Sequence, residues 1–168
     1  SAASDVYKRQ HADEIVREGR FQVIWQTGKY YEREMDEFMR GRDARGIWRG
    51  AFIERMDLAY AAADIVVARS GAGTVSELCL VGKAVVFVPS PNVAEDHQTK
   101  NAMALADRGA ALVVPDREAV ARVFSEAGRL LADDAMRSEM EKNIRALAVA
   151  DSADRVADEI LKVVKRSE

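Results

Sequence analysis

The chain has 168 residues, of which 48% are hydrophobic and 32% charged, and its net charge is −3 at pH 7. This length and apolar content suit one globular domain with a substantial core. The acidic balance lacks the basic footprint of nucleic-acid binding, so we expect no nucleic-acid partner. No apolar run approaches the roughly 18 residues that span a bilayer, and we expect no signal peptide. The single cysteine, Cys79, excludes an internal disulfide and is interpreted as a buried thiol.

Strands and helices are predicted to alternate along most of the chain. Residues 1–10 (SAASDVYKRQ) show no clear period and are interpreted as a leader or a cloning remnant, so the predicted domain covers residues 11–168. Apolar runs rich in β-branched residues predict five strands, at 21–27, 46–52, 64–68, 84–89 and 110–115. Helical spacing predicts helices at 29–41, 54–63, 74–82 and 97–109, and from 117 onward with breaks at 133–134 and 151–152.

Short, uniformly apolar strands that alternate with helices are typical of a parallel sheet covered on both faces. Right-handed crossovers then give an α/β, doubly wound, Rossmann-like domain. Ligands of such sheets bind at the carboxyl ends of the strands. Three segments follow strands at that edge: 52–53, 70–73 and 90–98.

The segment 70–73 reads SGAG and precedes a helix. Glycine allows positive φ and lets a ligand approach the backbone. The N–H groups and dipole at the start of the helix favour a phosphate or diphosphate. An alternative is that the glycines serve only the sterics of a tight turn.

Glu77 has two interpretations from its spacing. TVSE (74–77) matches a capping box, with Thr74 as N-cap and Glu77 reaching back to its N–H. Alternatively, the Glu77 carboxylate accepts hydrogen bonds from a sugar diol, as acids do in dinucleotide sites.

The loop before the fourth predicted helix offers further candidates. Asp96 is a possible cap, and His97 and Gln98 would face the same cleft from the first helical turn. An exposed histidine without a role is the alternative for His97. The other histidine is His11, so zinc binding and a Ser-His-Asp triad have little support. We expect no metal site.

Three stretches together resemble the C-terminal half of the MurG family: VIWQTGKYY, GAFIERMDLAYAAAD, and DIVVARSGAGTVSELCLVGKAVVFVPSPNVAEDHQTKNAMAL. The similarity runs from about residue 21 to the C-terminus. That family transfers N-acetylglucosamine from UDP-N-acetylglucosamine to undecaprenyl-diphospho-muramoyl-pentapeptide, converting lipid I to lipid II. Its two Rossmann-like domains form a GT-B arrangement, and this chain is similar to the second, donor-binding domain. The acceptor domain and the GGSxGA loop of the family have no counterpart here.

The resemblance implies a role for each matching position. It implies contacts of the Phe52–Ile53 backbone with uracil, and a diphosphate loop at Ser70, Gly71 and Ala72. It further implies that Glu77 binds the ribose hydroxyls, and that His97 and Gln98 bind the N-acetylglucosamine hydroxyls. Many relatives have glutamine where this sequence has His97.

The resemblance also implies an inverting reaction without a cofactor. The catalytic base is expected in the absent half, so the catalytic residue is unknown and this chain alone is expected to be inactive. The lipid I acceptor would bind through the missing domain. The whole enzyme would act as a peripheral protein at the cytoplasmic face of the bacterial inner membrane, whereas the fragment would be soluble.

Two other functions stay open. One is a different UDP-sugar enzyme of this fold, such as a UDP-N-acetylglucosamine 2-epimerase or another GT-B transferase. The other is a non-catalytic or NAD-type nucleotide-binding module. NAD sites place an acid about 20 residues after the glycines, and Glu95 and Asp96 lie near that distance but after the next strand instead of at its end.

Overall fold

A computed structural model of the protein describes residues 21–91 and 96–151, together with residues 157, 160 and 162. The expectations for residues 1–20, Glu95 and Ser152 lie outside the described residues. None of the helices within these ranges combines the length and apolarity needed to cross a membrane.

All five predicted strands are present, each shorter than its apolar run. They are β1 (Val23–Gln26), β2 (Ile47–Gly50), β3 (Ile65–Ala68), β4 (Ala84–Phe87) and β5 (Leu112–Val113). The helices are α1 (Glu32–Met39), α2 (Met56–Ala62), α3 (Ala72–Val81), α4 (His97–Ala106), α5 (Ala119–Ala132) and α6 (Asp134–Arg145). A 3₁₀ turn, Asp116–Glu118, precedes α5.

Glycines lie just beyond three helices, as the sequence predicts. Gly41, Gly82 and Gly109 have φ of 76°, 65° and 63° after α1, α3 and α4. Only glycine adopts this left-handed backbone at little cost, which is why these positions end helices. The predicted break at 133–134 is also confirmed, because the Asp133 side chain accepts a hydrogen bond from the Met136 N–H over 2.9 Å at the start of α6.

All strand pairs are parallel, which confirms the predicted type of sheet. β1 pairs with β2, while β3, β4 and β5 pair in that order. Among the described strands, no ladder joins the pair to the triplet. A doubly wound sheet has the strand order 3-2-1-4-5-6. The pair β2-β1 and the triplet β3-β4-β5 have the same neighbour relations as strands 3-2 and 4-5-6 of that order.

The core surrounds β4, whose four residues are all buried. Because side chains alternate along a strand, Ala84 and Val86 face one cluster and Val85 and Phe87 face the other. The first cluster is completed from α5 and α6 by residues that include Val123, Leu130 and Met140. The second is completed from α3, α4 and α6 by residues that include Leu78, Cys79, Leu105 and Ile144. Helices therefore cover both faces of the three-stranded sheet, and its carboxyl edge is left to the loops.

Candidate functional site

The glycine turn after β3 leads directly into α3. Gly71 is the N-cap, with φ −64° and ψ 151°, and as a glycine it has no side chain with which to cap the helix. The first bond inside the helix runs from the Val75 N–H to the Gly71 carbonyl over 3.0 Å. The N–H groups of the first turn, from Ala72 to Thr74, therefore point out of the helix toward the carboxyl edge of the sheet.

Neither the backbone conformation nor the packing requires glycine at positions 71 and 73. Neither Gly71 nor Gly73 has a positive φ, so a left-handed backbone is not the reason for glycine at these positions. A Cβ added at either position would meet no atom within 4 Å. Tight packing within the domain does not explain them, and the backbone faces open space in which a ligand can approach closely.

The capping box predicted for Thr74 and Glu77 is wrong. α3 begins at Ala72, so Thr74 lies inside the first turn and Glu77 is the sixth helical residue. The motif fits locally, but the backbone of Gly71 is extended and that of Gly73 is helical, which moves the start of the helix toward the N-terminus. Glu77 is exposed and does not serve the helix end.

The Glu77 carboxylate has a different partner. The Tyr60 hydroxyl on α2 donates to its Oε2 over 3.2 Å. Burial of the Tyr60 ring raises the pKa of the hydroxyl, and the negative charge and hydrogen bond of Glu77 raise it further. The phenol therefore keeps its proton and acts as a donor at neutral pH. No motif in the sequence indicates Tyr60 as a site residue, and its one signal is its place on the predicted helix before β3.

Ser70 and Gln98 lie in direct contact, as a shared cleft requires. Ser70 is fully buried, and its hydroxyl donates to the Gln98 carbonyl over 2.8 Å. The Gln98 side-chain oxygen accepts from the Ser90 N–H over 2.9 Å. Asn101 donates from Nδ2 to the Ser70 carbonyl over 3.0 Å. The Ser70 hydroxyl thus ties α4 to the glycine turn, and the Gln98 Nε2 is the end of its amide that could donate to a ligand.

His97 is the first residue of α4 and is exposed. Asp96 occupies the N-cap position but makes no side-chain bond to the helix backbone, so the predicted cap is wrong in its bonding. Its φ of 53° turns the chain, and its Oδ1 accepts instead from the Thr99 hydroxyl over 2.6 Å. His97 is thereby presented at the surface beside Gln98.

Phe52 and Ile53 follow β2 and lie at the end of β1. The Phe52 side chain is 65% exposed. The Ile53 N–H donates to the Gln26 side-chain oxygen over 3.0 Å. Gln26 is the last residue of β1 and is not among the predicted site residues. Its signal in the sequence is a polar side chain at the end of an apolar strand. The Gln26 side-chain amide oxygen thus occupies the Ile53 N–H at the end of β1.

Comparisons with known proteins identify the family of this chain. Residues 2–156 match the glycosyltransferase family 28 C-terminal domain. The chain belongs to this family. It is 48% identical over 145 residues to a protein of Parabacteroides distasonis and 49% identical over 145 residues to one of Bacteroides thetaiotaomicron. Both are named UDP-N-acetylglucosamine--N-acetylmuramyl-(pentapeptide) pyrophosphoryl-undecaprenol N-acetylglucosamine transferase, and each alignment covers 86% of this chain and 39% of the relative.

A solved structure gives the same result for the fold. The crystal structure of Acinetobacter baumannii MurG aligns with a TM-score of 0.76 and 29% identity. The alignment covers 93% of this family 28 domain and 46% of that chain. The chain therefore spans less than half the length of these relatives. The match confirms the predicted Rossmann-like fold of a C-terminal glycosyltransferase domain.

Proposed function

We propose that this family 28 domain binds UDP-N-acetylglucosamine as the sugar donor of a peptidoglycan glycosyltransferase. The observation that carries the proposal is the start of α3. Its uncapped first turn opens at Gly71 into free space, and the Glu77 carboxylate lies on the same helix. Backbone N–H groups suit a diphosphate, and a fixed carboxylate suits the neighbouring ribose diol.

The remaining candidates complete a donor site in this proposal. The uracil edge would bind the backbone at Phe52–Ile53, using the Ile53 carbonyl and replacing the Gln26 oxygen at its N–H. The diphosphate would bind Gly71 and Ala72, with Ser70 holding the turn in place from within. The sugar hydroxyls would accept from the Gln98 amide and contact His97.

The chemistry of an inverting transfer fits these positions. The acceptor 4-hydroxyl attacks the anomeric carbon, the bond from that carbon to the diphosphate oxygen breaks, and UDP leaves with the electron pair. Negative charge then develops on the diphosphate, next to the N-terminus of α3. Fixed backbone dipoles stabilise such charge without reorganising during the reaction.

The acceptor side lies beyond this proposed site. For the whole protein we propose lipid I as acceptor and a peripheral position at the cytoplasmic membrane face. The group that takes the acceptor proton is not among the residues assigned here. The relatives are about two and a half times longer than the aligned region, so we expect donor binding but no lipid II formation by the 168-residue chain alone.

Calorimetry with the 168-residue chain tests the donor assignment. UDP and UDP-N-acetylglucosamine are expected to bind more tightly than NAD or ATP. The reason is that the proposed site has a backbone segment for uracil, a helix N-terminus for the diphosphate and the Glu77 carboxylate for the ribose. Tighter binding of NAD than UDP would favour a dinucleotide module instead. A 2-epimerase would share the donor site, so incubation with UDP-N-acetylglucosamine and detection of UDP-N-acetylmannosamine distinguishes that alternative. The names of the relatives favour the transferase.

A further inference from the structure

The hydrogen bond between Tyr60 and Glu77 joins two helices, each of which follows a loop of the proposed donor site. Tyr60 lies on α2, which follows the Phe52–Ile53 loop, and Glu77 lies on α3, which follows the glycine turn. The two residues are 17 positions apart in sequence, and their side chains meet over 3.2 Å. This contact therefore fixes the Glu77 carboxylate relative to both the Phe52–Ile53 loop and the glycine turn.

The tyrosine is itself held in place. The half-buried Tyr60 packs against the apolar cluster to which α3, α4, α6 and β4 contribute. Glu77, by contrast, is exposed, and a free glutamate side chain loses much rotamer entropy when a ligand fixes it. A donor anchored in the core removes part of that cost before the ligand arrives.

The geometry leaves room for a diol on the same carboxylate. The Tyr60 hydroxyl engages Oε2, and a carboxylate offers about four acceptor positions on its two oxygens. Within the part of the chain that the structure describes, Tyr60 is the hydrogen-bond partner seen on this carboxylate, so Oε1 and the second lone pair of Oε2 are open to two ribose hydroxyls. The raised pKa of Tyr60 keeps the phenol a donor instead of a competing anion.

We infer that Tyr60 is a positioning residue for nucleotide binding, which orients the Glu77 carboxylate toward the ribose diol of the donor. This inference rests on the proposed function. It adds a residue that makes no contact with the ligand and acts only through Glu77.

A double-mutant cycle on the 168-residue chain tests the inference, with UDP and 2′,3′-dideoxy-UDP as ligands. Tyr60→Phe keeps the ring and removes only the hydroxyl. It is expected to weaken UDP binding about three- to tenfold and to leave dideoxy-UDP binding unchanged. Glu77→Ala should weaken UDP binding more, and adding Tyr60→Phe to it should have no further effect. Glu139→Ala, a matched change at an exposed acid of α6, should alter neither affinity.

Each other outcome overturns the inference in a recognisable way. Equal losses for UDP and dideoxy-UDP in Tyr60→Phe would show a purely structural tyrosine. Losses that simply multiply in the double mutant would show that Tyr60 acts independently of Glu77. An unchanged affinity in Glu77→Ala would remove the ribose assignment and the inference together, and failure of the unmodified chain to prefer UDP over NAD would reject the proposed function itself.

Discussion

The Arg69 guanidinium donates to the Asp116 carboxylate over 2.5 Å, which joins the segments after β3 and β5 across the end of β4. The same nitrogen donates to the carbonyls of Val88 and Pro89 over 2.8 and 3.0 Å. The side chains of the pair are only 22% and 18% exposed. One cation thus joins three strand ends beside the glycine turn, and it stabilises the edge of the sheet on which we propose that the donor binds.

Replacing Arg69 by methionine is expected to lower the free energy of unfolding by about 2 kcal/mol. The change leaves the Asp116 carboxylate and two carbonyls without their donor, and hydrogen bonds to charged groups contribute roughly 1.5–3 kcal/mol each before relaxation and water entry. Urea unfolding measures the difference. The control is Lys142→Met, which removes a cation 3.9 Å from Glu139 with side chains 78% and 63% exposed. Exposed pairs contribute at most about 1 kcal/mol, so a loss as large as that of Arg69→Met would contradict this account.

Gly82 and Gly128 allow a comparison of the same substitution, glycine to alanine, in a left-handed and in a helical backbone. Gly82 has φ 65° after α3, and an added Cβ would lie 2.4 Å from the Arg145 Nε. Gly82→Ala should therefore destabilise the protein, with about 1–2 kcal/mol from the left-handed backbone alone. Gly128 lies within α5, where a Cβ would meet the Phe21 Cζ at an ordinary 3.5 Å. Gly128→Ala should stabilise by up to about 1 kcal/mol, and thermal unfolding of both variants should give shifts of opposite sign.

Cys79 gives a pH dependence of stability. Burial raises the pKa of its thiol, so the folded state keeps the proton to higher pH than the unfolded state. The unfolded state then binds fewer protons above the pKa of a free thiol, about 8.5, and the free energy of unfolding falls as pH rises through that range. Cys79→Ala lacks this contribution, so its stability should decline less between neutral pH and about pH 10. Parallel declines in the two proteins, measured by urea unfolding, would contradict the prediction.

Much of the fold is predictable because it depends on local signals. The strand β4 is a continuous apolar run because both of its faces are buried, and Gly41, Gly82 and Gly109 end helices because of their own backbone freedom. The sites after strands follow from the parallel topology. These features need only a residue and its immediate neighbours, which is the information that a single sequence contains.

The details of the site depend on contacts across the chain. The helix α3 begins earlier than its sequence motif predicts. TVSE satisfies a local capping motif, whereas the helix starts directly after Gly71. Tyr60 meets Glu77 across 17 positions, and Arg69 meets Asp116 across 47. Such pairs are fixed by the packing of whole elements, so no periodicity or motif in the sequence indicates them.

The start of α3 offers the sharpest separation of stability from ligand binding. Gly71 has an extended backbone that any residue adopts, and an added Cβ would meet no protein atom within 4 Å. Asparagine and aspartate both serve as N-caps, so Gly71→Asn and Gly71→Asp should each maintain stability or raise it by a few tenths of a kcal/mol. Aspartate should gain slightly more, because its charge interacts favourably with the helix dipole.

Ligand binding should separate the two variants. An aspartate at position 71 would place a negative charge where we propose that the diphosphate binds, so UDP affinity should fall at least about tenfold below that of Gly71→Asn, a difference of about 1.4 kcal/mol. Uridine, which carries no phosphate, should bind both variants equally. Calorimetry of UDP and uridine with both variants, together with their melting temperatures, measures all four quantities. Equal UDP affinities in two well-folded variants would place the diphosphate away from α3. A carboxylate at the N-cap of α3 repels an anion bound a few ångströms away, so it would have to weaken UDP binding there.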